Sequence, residues 1–552
     1  MPSLGHQQYQ DSIREWIETC GDQPGVAETL YFYQDTLLVL WHLDLEPART
    51  VLERCWSQNP RGGWPWDPVV KLRTLLLSLL VGQPSLNKWA KDLSGSRILR
   101  VLAGIEQDRE RMVRAGRDPG AARIRPGVGT FYDFLHHLHD GPIRKTCEHI
   151  ERPSETERRR AKTPRRLARK AALPKKPARK RGRPRKGEER PREETLSATQ
   201  RLVEELDRVQ DLANPTDLLQ RLSEILIEVA VQESGRRGLL GDVHSLVLGG
   251  DGSMLRTGAN SQGKRICGHP FNERCSCPRI YSDPDAQWGW NAHRKLWFFG
   301  HHFYEISASV EGHDLPVAIG LEPGNGSDFT ASLRVYDRFI KNLAERTDGW
   351  RIGTYIADAG HDAEPIYRYV IERGAVPVIP LKADAPATHP RRPDLRLSKR
   401  GVPLCQAGVE MAPWGSAGKD RAIFICPVRG GKCERCPLAP EGQDDWHCRP
   451  DLTWGPTASV KISQNPRLCP PLPRNSSRFR ELYNLRSGTE RSNSVKKETF
   501  RLEAARHRRA SFWLIRLHLI AVLQHAKVWV ANEDARALVD RLLGRGEERM
   551  VA

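Results

Sequence analysis

The second half of this chain predicts an α/β fold built on a mixed sheet, with an all-α segment before it. Three observations predict this. From about residue 244, short β-rich apolar runs alternate with amphipathic helical stretches. Two of those runs, LWFFGHHFYEISASV and LPVAIGL, flank EGHD and read as a hairpin, so part of the sheet is antiparallel. Before residue 150, by contrast, the apolar residues recur at helical spacing.

In chain order, residues 1–150 form the helical segment, with apolar faces in 27–56, 67–81 and 85–104. The stretch SLNKWAKDLSGSRILRVLAG (85–104) predicts two short helices around Ser94-Gly95, open to two readings: a helix-turn-helix that binds DNA, or plain helix packing. Residues 151–198 have almost no apolar side chains. Between 151 and 190 there are 18 basic and 5 acidic residues, most of the chain's net +19. Such a stretch cannot bury a core and predicts a disordered basic linker. Residues 199–240 return to helical periodicity as a connector. The α/β unit spans 244–535. Its first strand, SLVLGGDGSML, is expected to end at Asp251, and RIGTYIADAGHD to end at Asp358. Between and after them come a helix capped by Ser327 or Asp328, a helix closed by Gly374, and the strand AVPVIPL. Residues 383–475 read as an irregular Cys-, Pro- and Gly-rich insertion. A long helix runs to about Val530.

At 552 residues the chain is long for one domain. Its basic balance points to a polyanionic partner, nucleic acid before membrane. No apolar run approaches the 18 residues of a membrane span: Leu75–Val81 is short, and Phe512–Leu523 is broken by Arg516. There is no basic-then-apolar leader pattern, so the twelve cysteines read as reduced thiols or metal ligands.

The stretch YNLRSGTERSNSVKK (483–497) sets one acidic residue, Glu490, among Arg486, Arg491, Lys496 and Lys497. Together with Asp251 and Asp358 it supplies three carboxylates from distant segments. Such a cluster repels itself unless cations fill it, and hard oxygen ligands suit Mg²⁺ or Mn²⁺. Two ions about 4 Å apart would serve phosphodiester chemistry, the basic residues holding phosphates and the carboxylates holding metal. Each carboxylate also has a plain reading: Asp251 and Asp358 as turn residues before glycine, Glu490 as a residue favoured by a helix N-terminus. Asp328 and Asp362 read as helix caps rather than ligands.

These residues carry a family resemblance. Tyr483, Arg486, Glu490 and Lys497 keep the spacing of the Tyr-Arg-Glu-Lys signature of one subgroup of DDE transposases from bacterial insertion sequences. DGSMLRTGAN, PVAIGLEPGNGSDF and ADAGHD are similar to further motifs of that family, with His361 where the family usually has Tyr. Residues 67–138 are similar to its helical N-terminal domain. The resemblance implies a ribonuclease-H-like fold in which Asp251, Asp358 and Glu490 ligate Mg²⁺ or Mn²⁺, with Tyr483, Arg486 and Lys497 on the element-end DNA. It implies a cytoplasmic, nucleoid-associated bacterial enzyme that cleaves element ends, joins them to target DNA and works as a homo-oligomer on double-stranded DNA. The alternatives are a domesticated, non-catalytic DNA-binding regulator and a related nuclease without strand transfer.

Two further signals stand apart. Arg181-Gly182-Arg183-Pro184 resembles an AT-hook core, whose arginines suit a narrow A·T minor groove; the other reading is a generic basic linker. Cys426, Cys433, Cys436 and Cys448 have a spacing compatible with a tetrahedral Zn²⁺ site, with His447 or Cys405 as substitutes. Cys267, His269, Cys275 and Cys277 form a second such set. The other reading of both is reduced thiols on surface loops.

Overall fold

The computed structural model describes residues 5–56, 66–114, 126–141, 197–208, 217–270, 277, 279–291, 294–418, 420–443, 446, 448–505 and 507–545. The basic linker with Arg181, Gly182, Arg183 and Pro184 lies outside the described residues, as do Cys275 and His447.

The mixed sheet has six strands: β1 (Leu246–Arg256), β2 (Gln287–Asn291), β3 (Leu296–Val310), β4 (His313–Pro323), β5 (Ile352–Ile356) and β6 (Val376–Val378). β3 is antiparallel to β1 on one side and to β4 and β2, end to end, on the other. β5 runs parallel to β1, and β6 parallel to β5. The β3–β4 hairpin forms at the EGHD signal because Glu311 and Gly312 both take positive φ (50° and 85°), as two-residue turns matching the strand twist require.

The helices against the sheet include α1 (Asp328–Arg346), α2 (Glu364–Glu372), α3 (Ser477–Asn484), α4 (Ser487–Glu498) and α5 (Ala510–Trp529). α1 buries Ala331, Val335, Phe339 and Leu343, spaced by four, against β3 and β4. α5 is apolar on every side because it lies between layers: β4 and Leu218–Leu226 pack on it, and so do Gln34–His42 and Pro68–Leu80 from the helical segment. Arg516, which interrupts its apolar run, is buried and donates to the carbonyls of Phe500 (3.0 Å) and Arg501 (3.3 Å). Leu37, Leu76, Leu222, Ile306, Leu343 and Leu517 belong to one continuous core. Among the described residues no helix is long and apolar enough to cross a membrane.

Two expectations change. Asp251 does not end its strand. β1 continues to Arg256, and Asp251 sits mid-strand opposite Glu305. The GGDG run has the composition of a turn, but its glycines serve close packing: a Cβ on Gly250 would lie 2.4 Å from the Tyr304 hydroxyl, and one on Gly252 would lie 2.2 Å from an Asp328 oxygen. The insertion is not irregular throughout. Ala412–Ser416, Arg421–Ile425 and Ala458–Lys461 form an antiparallel sheet over a small core that includes Leu397, Met411, Phe424 and Val460. Between 85 and 104 the helices are Leu86–Gly95 and Arg97–Ala103. The second buries Ile98, Leu99, Val101, Leu102 and Ala103, so it presents little surface to a DNA groove.

Candidate active site

Residues on one face of a strand alternate, so Gly249, Asp251 and Ser253 of β1 share a face with Ser307, Glu305 and Phe303 of β3. Helix α4 lies across this face, and its contacts fix its register. Thr489 Oγ1 meets Ser307 Oγ at 2.8 Å. Ser492 Oγ donates to Glu305 at 2.5 Å, and Lys496 Nζ pairs with the other Glu305 oxygen at 2.5 Å. Lys497 Nζ donates to Ser253 Oγ at 2.6 Å. The fit is close at the helix start: a Cβ on Gly488 would stand 1.7 Å from Ser309 Oγ. Asp358 follows β5, the parallel neighbour of β1, two residues beyond Ile356.

Asp251, Asp358, Glu490 and Asp328 thereby meet electrostatically. The Asp251 carboxyl is pushed up to about 6, first by burial, then by Glu490, with Asp328 and Asp358 adding to it and Arg486 opposing. Among the described residues Asp251 has no hydrogen-bond partner. Asp358 is held below the usual carboxylate range, chiefly by its hydrogen bond with His361 Nδ1 (2.6 Å). The other ring nitrogen of His361 meets the Tyr304 hydroxyl at 3.0 Å, which in turn meets Tyr355 at 2.8 Å. This buried chain fixes the orientation of Asp358. Burial works against the charge on Asp328, but His302, 3.0 Å away, and His361 outweigh it, leaving its carboxyl below the usual range.

The basic residues of the 483–497 stretch divide into two groups. Arg486 pairs with Glu490 at 2.7 Å and sits 5.9 Å from the Tyr483 ring, which itself stacks on Phe479. Lys497 reaches Ser253, and burial lowers the affinity of its amine for a proton. These two border the carboxylates. Lys496 and Arg491 already have carboxylate partners of their own. Lys496 is fully buried against Glu305, and Arg491 is paired with both oxygens of Asp314 (2.7 and 2.8 Å). Helical periodicity turns position 496 inward while 497 stays at the site.

Two expected caps also prove to be something else. Asp328 follows the N-cap Ser327 and joins the acidic cluster through His302. Asp362 is buried, accepting from the Lys382 amide at 2.9 Å and pairing with Arg467 at 2.7 Å, so it ties the insertion to the sheet. Sequence reasoning also passed over Asn493. It lies four residues after Thr489 and four before Lys497, on the helix face that those two residues set against β3 and β1. Its amide nitrogen and oxygen are both buried without a hydrogen-bond partner among the described residues. The i, i+4, i+8 spacing was the available signal.

A half-buried carboxylate without a side-chain hydrogen bond among the described residues, three further carboxylates acting on it, and an unpartnered amide make a hard-oxygen donor set. Hard oxygens of this kind are the chemistry that suits a divalent cation, although among the described residues the carboxylate oxygens are not gathered within 4.8 Å of one another. The predicted thiol set fits less tightly. Cys426, Cys436 and Cys405 surround Cys448, whose thiol is raised by burial and by these neighbours. Among the described residues, however, the group of His, Cys, Asp or Glu whose ligand atoms all lie within 4.8 Å is Cys267, His269 and Cys277.

Residues 251–523 match the family model described as Transposase DDE domain. No curated protein matches, and no solved structure does.

Proposed function

We propose that this chain, which carries the DDE domain of a transposase, cleaves the ends of a DNA element and joins them to target DNA, with Asp251, Asp358 and Glu490 holding Mg²⁺ or Mn²⁺. The observation that carries this reading is that Glu490, Asp328 and Asp358 all act on Asp251, whose carboxyl is raised to about 6, first by burial and then by these neighbours. A bound divalent ion would relieve the repulsion among these carboxylates, activate an attacking oxygen and stabilise the leaving one. The chain's own residues orient the reactants. His361, braced by Tyr304, holds one Asp358 oxygen and leaves the other for the ion. Arg486 neutralises Glu490 in the free protein and, with Tyr483 and Lys497, takes up the phosphates of the element end. Asn493 offers a buried donor and acceptor on the same face of α4 as Thr489 and Lys497.

The kept Tyr-Arg-Glu-Lys spacing supports membership of the bacterial insertion-sequence subgroup with that signature, acting as a homo-oligomer on DNA. Arg181-Gly182-Arg183-Pro184 would bind an A·T-rich minor groove. Cys426, Cys433, Cys436 and Cys448 would gather on a structural Zn²⁺ in the insertion.

Glu490→Gln tests the central reading. The change keeps size and polarity but removes the charge an ion needs. Cleavage of the element's end sequence in Mg²⁺ should be lost, with binding of that end close to wild type. Arg486→Ala should lower end affinity instead. Nicking by Glu490→Gln at the wild-type rate would remove this glutamate from the site.

A further inference from the structure

The chain leaves β1 at Arg256 and does not rejoin the sheet until Gln287. Its described residues have little apolar packing of their own. A two-residue ladder, Lys264–Arg265 with Arg279–Ile280, is braced by Arg265 on the Pro270 carbonyl (2.7 Å) and Arg279 on the Gln262 carbonyl (3.0 Å). At its far end the buried pair Asp283–His301, 3.1 Å apart, ties the excursion to β3. Something else must set the conformation of a hairpin with so small a core.

Inside it, Cys267, His269 and Cys277 bring their ligand atoms within 4.8 Å of one another. The Cys277 sulfur lies 3.5 Å from His269 Nδ1. Tetrahedral zinc, with Zn–S near 2.3 Å and Zn–N near 2.05 Å, has an S···N edge of about 3.6 Å and an S···S edge of about 3.8 Å. The observed separation is that of a coordination edge. Two thiols and an imidazole are soft-to-borderline ligands, which select zinc over the magnesium suited to the carboxylates.

We propose that Cys267, His269 and Cys277 form a zinc site that clamps this hairpin beside the catalytic sheet. Binding releases a proton from each thiol and takes the histidine neutral. A disulfide between the two cysteines would use the sulfurs alone and give His269 no part. The hairpin follows directly on the strand that bears Asp251, and its basic residues Lys264, Arg265 and Arg279 continue from Arg256. Zinc would therefore fix a basic projection next to the site. The inference stands independently of how the carboxylates are read.

The test uses the full-length chain, purified without chelator. Elemental analysis should find about one zinc equivalent fewer in Cys277→Ser and in His269→Ala than in wild type, with far-UV circular dichroism unchanged. Cys436→Ser, in the insertion, distinguishes any zinc held there and should leave this equivalent in place. Cobalt-substituted protein should show a sulfur-to-cobalt charge-transfer band that weakens in Cys277→Ser. Equal zinc content and an equal cobalt spectrum in wild type, Cys277→Ser and His269→Ala would overturn the proposal. So would recovery of Cys267 and Cys277 as a disulfide from protein kept under reducing conditions until alkylation.

Discussion

Replacing Asp251 by Asn should stabilise the metal-free protein at neutral pH. The Asp251 carboxyl lies at about 6 in the folded chain against an ordinary aspartate value of 3.8. A raised carboxyl binds its proton more tightly in the native state, so its contribution is fully present below about 3.8 and is lost as pH rises through about 6. A gap of about 2 units, at about 1.4 kcal/mol each, amounts to about 3 kcal/mol of destabilisation in the ionised form. Asn keeps the shape and removes the charge, so Asp251→Asn should gain up to about 3 kcal/mol at about pH 7.5 and only about 1 kcal/mol at about pH 4.5. Urea unfolding in EDTA at both pH values reads this directly. Adding Mg²⁺ near pH 7.5 should then stabilise wild type by about 2.7 kcal/mol at a hundredfold excess over Kd, and the variant by much less. No gain near pH 7.5, or a gain that grows on acidification, would refute the claim that burial and the neighbouring carboxylates raise Asp251.

Lys496→Met should destabilise the fold by about 3–5 kcal/mol in urea unfolding, because it leaves the Glu305 carboxylate buried without its partner. Gly488→Ala should cut end cleavage by roughly 100-fold with a smaller effect on stability, since the new Cβ would displace the start of α4 and carry Arg486 and Glu490 with it. Arg181→Ala with Arg183→Ala should weaken DNA binding and flatten its salt dependence. Equal wild-type binding of A·T-rich and G·C-rich probes would leave only a basic linker.

The order of strands and helices was legible because it rests on local pattern: the hairpin from two β-rich runs around a turn, α1 from apolar residues spaced by four. The site was legible only where spacing along the chain records chemistry, as in Tyr483, Arg486, Glu490 and Lys497. What was missed depends on tertiary approach. The GGDG run looks like a turn until Tyr304, Tyr355 and Asp328 are seen to need the space. Lys496 and Lys497 are indistinguishable as letters, yet one is buried on Glu305 and the other reaches Ser253. Asp328 and Asp362 have the composition of caps, and only the approach of His302 and Arg467 assigns them elsewhere. The insertion's strands are too short to show a period.

The layout of α4 and α5 has a consequence for synthesis. Asp251 and Asp358 leave the ribosome well before Glu490, with the whole insertion between, and translation at roughly 5–20 residues per second makes that delay several seconds or more. Until α4 arrives, the face of β1 and β3 that carries Asp251 and Glu305 is uncovered, and Glu305 lacks its lysine. The helices near the N-terminus pack partly on one another, but the part of their surface that Gln34–His42 and Pro68–Leu80 set against α5 waits longer still. A nascent or truncated chain ending before Ser477 therefore holds two of the three carboxylates and neither closing helix. Glu490 and the seam of the molecule arrive together, so on the proposed reading the acidic site is complete only when the polypeptide is nearly whole.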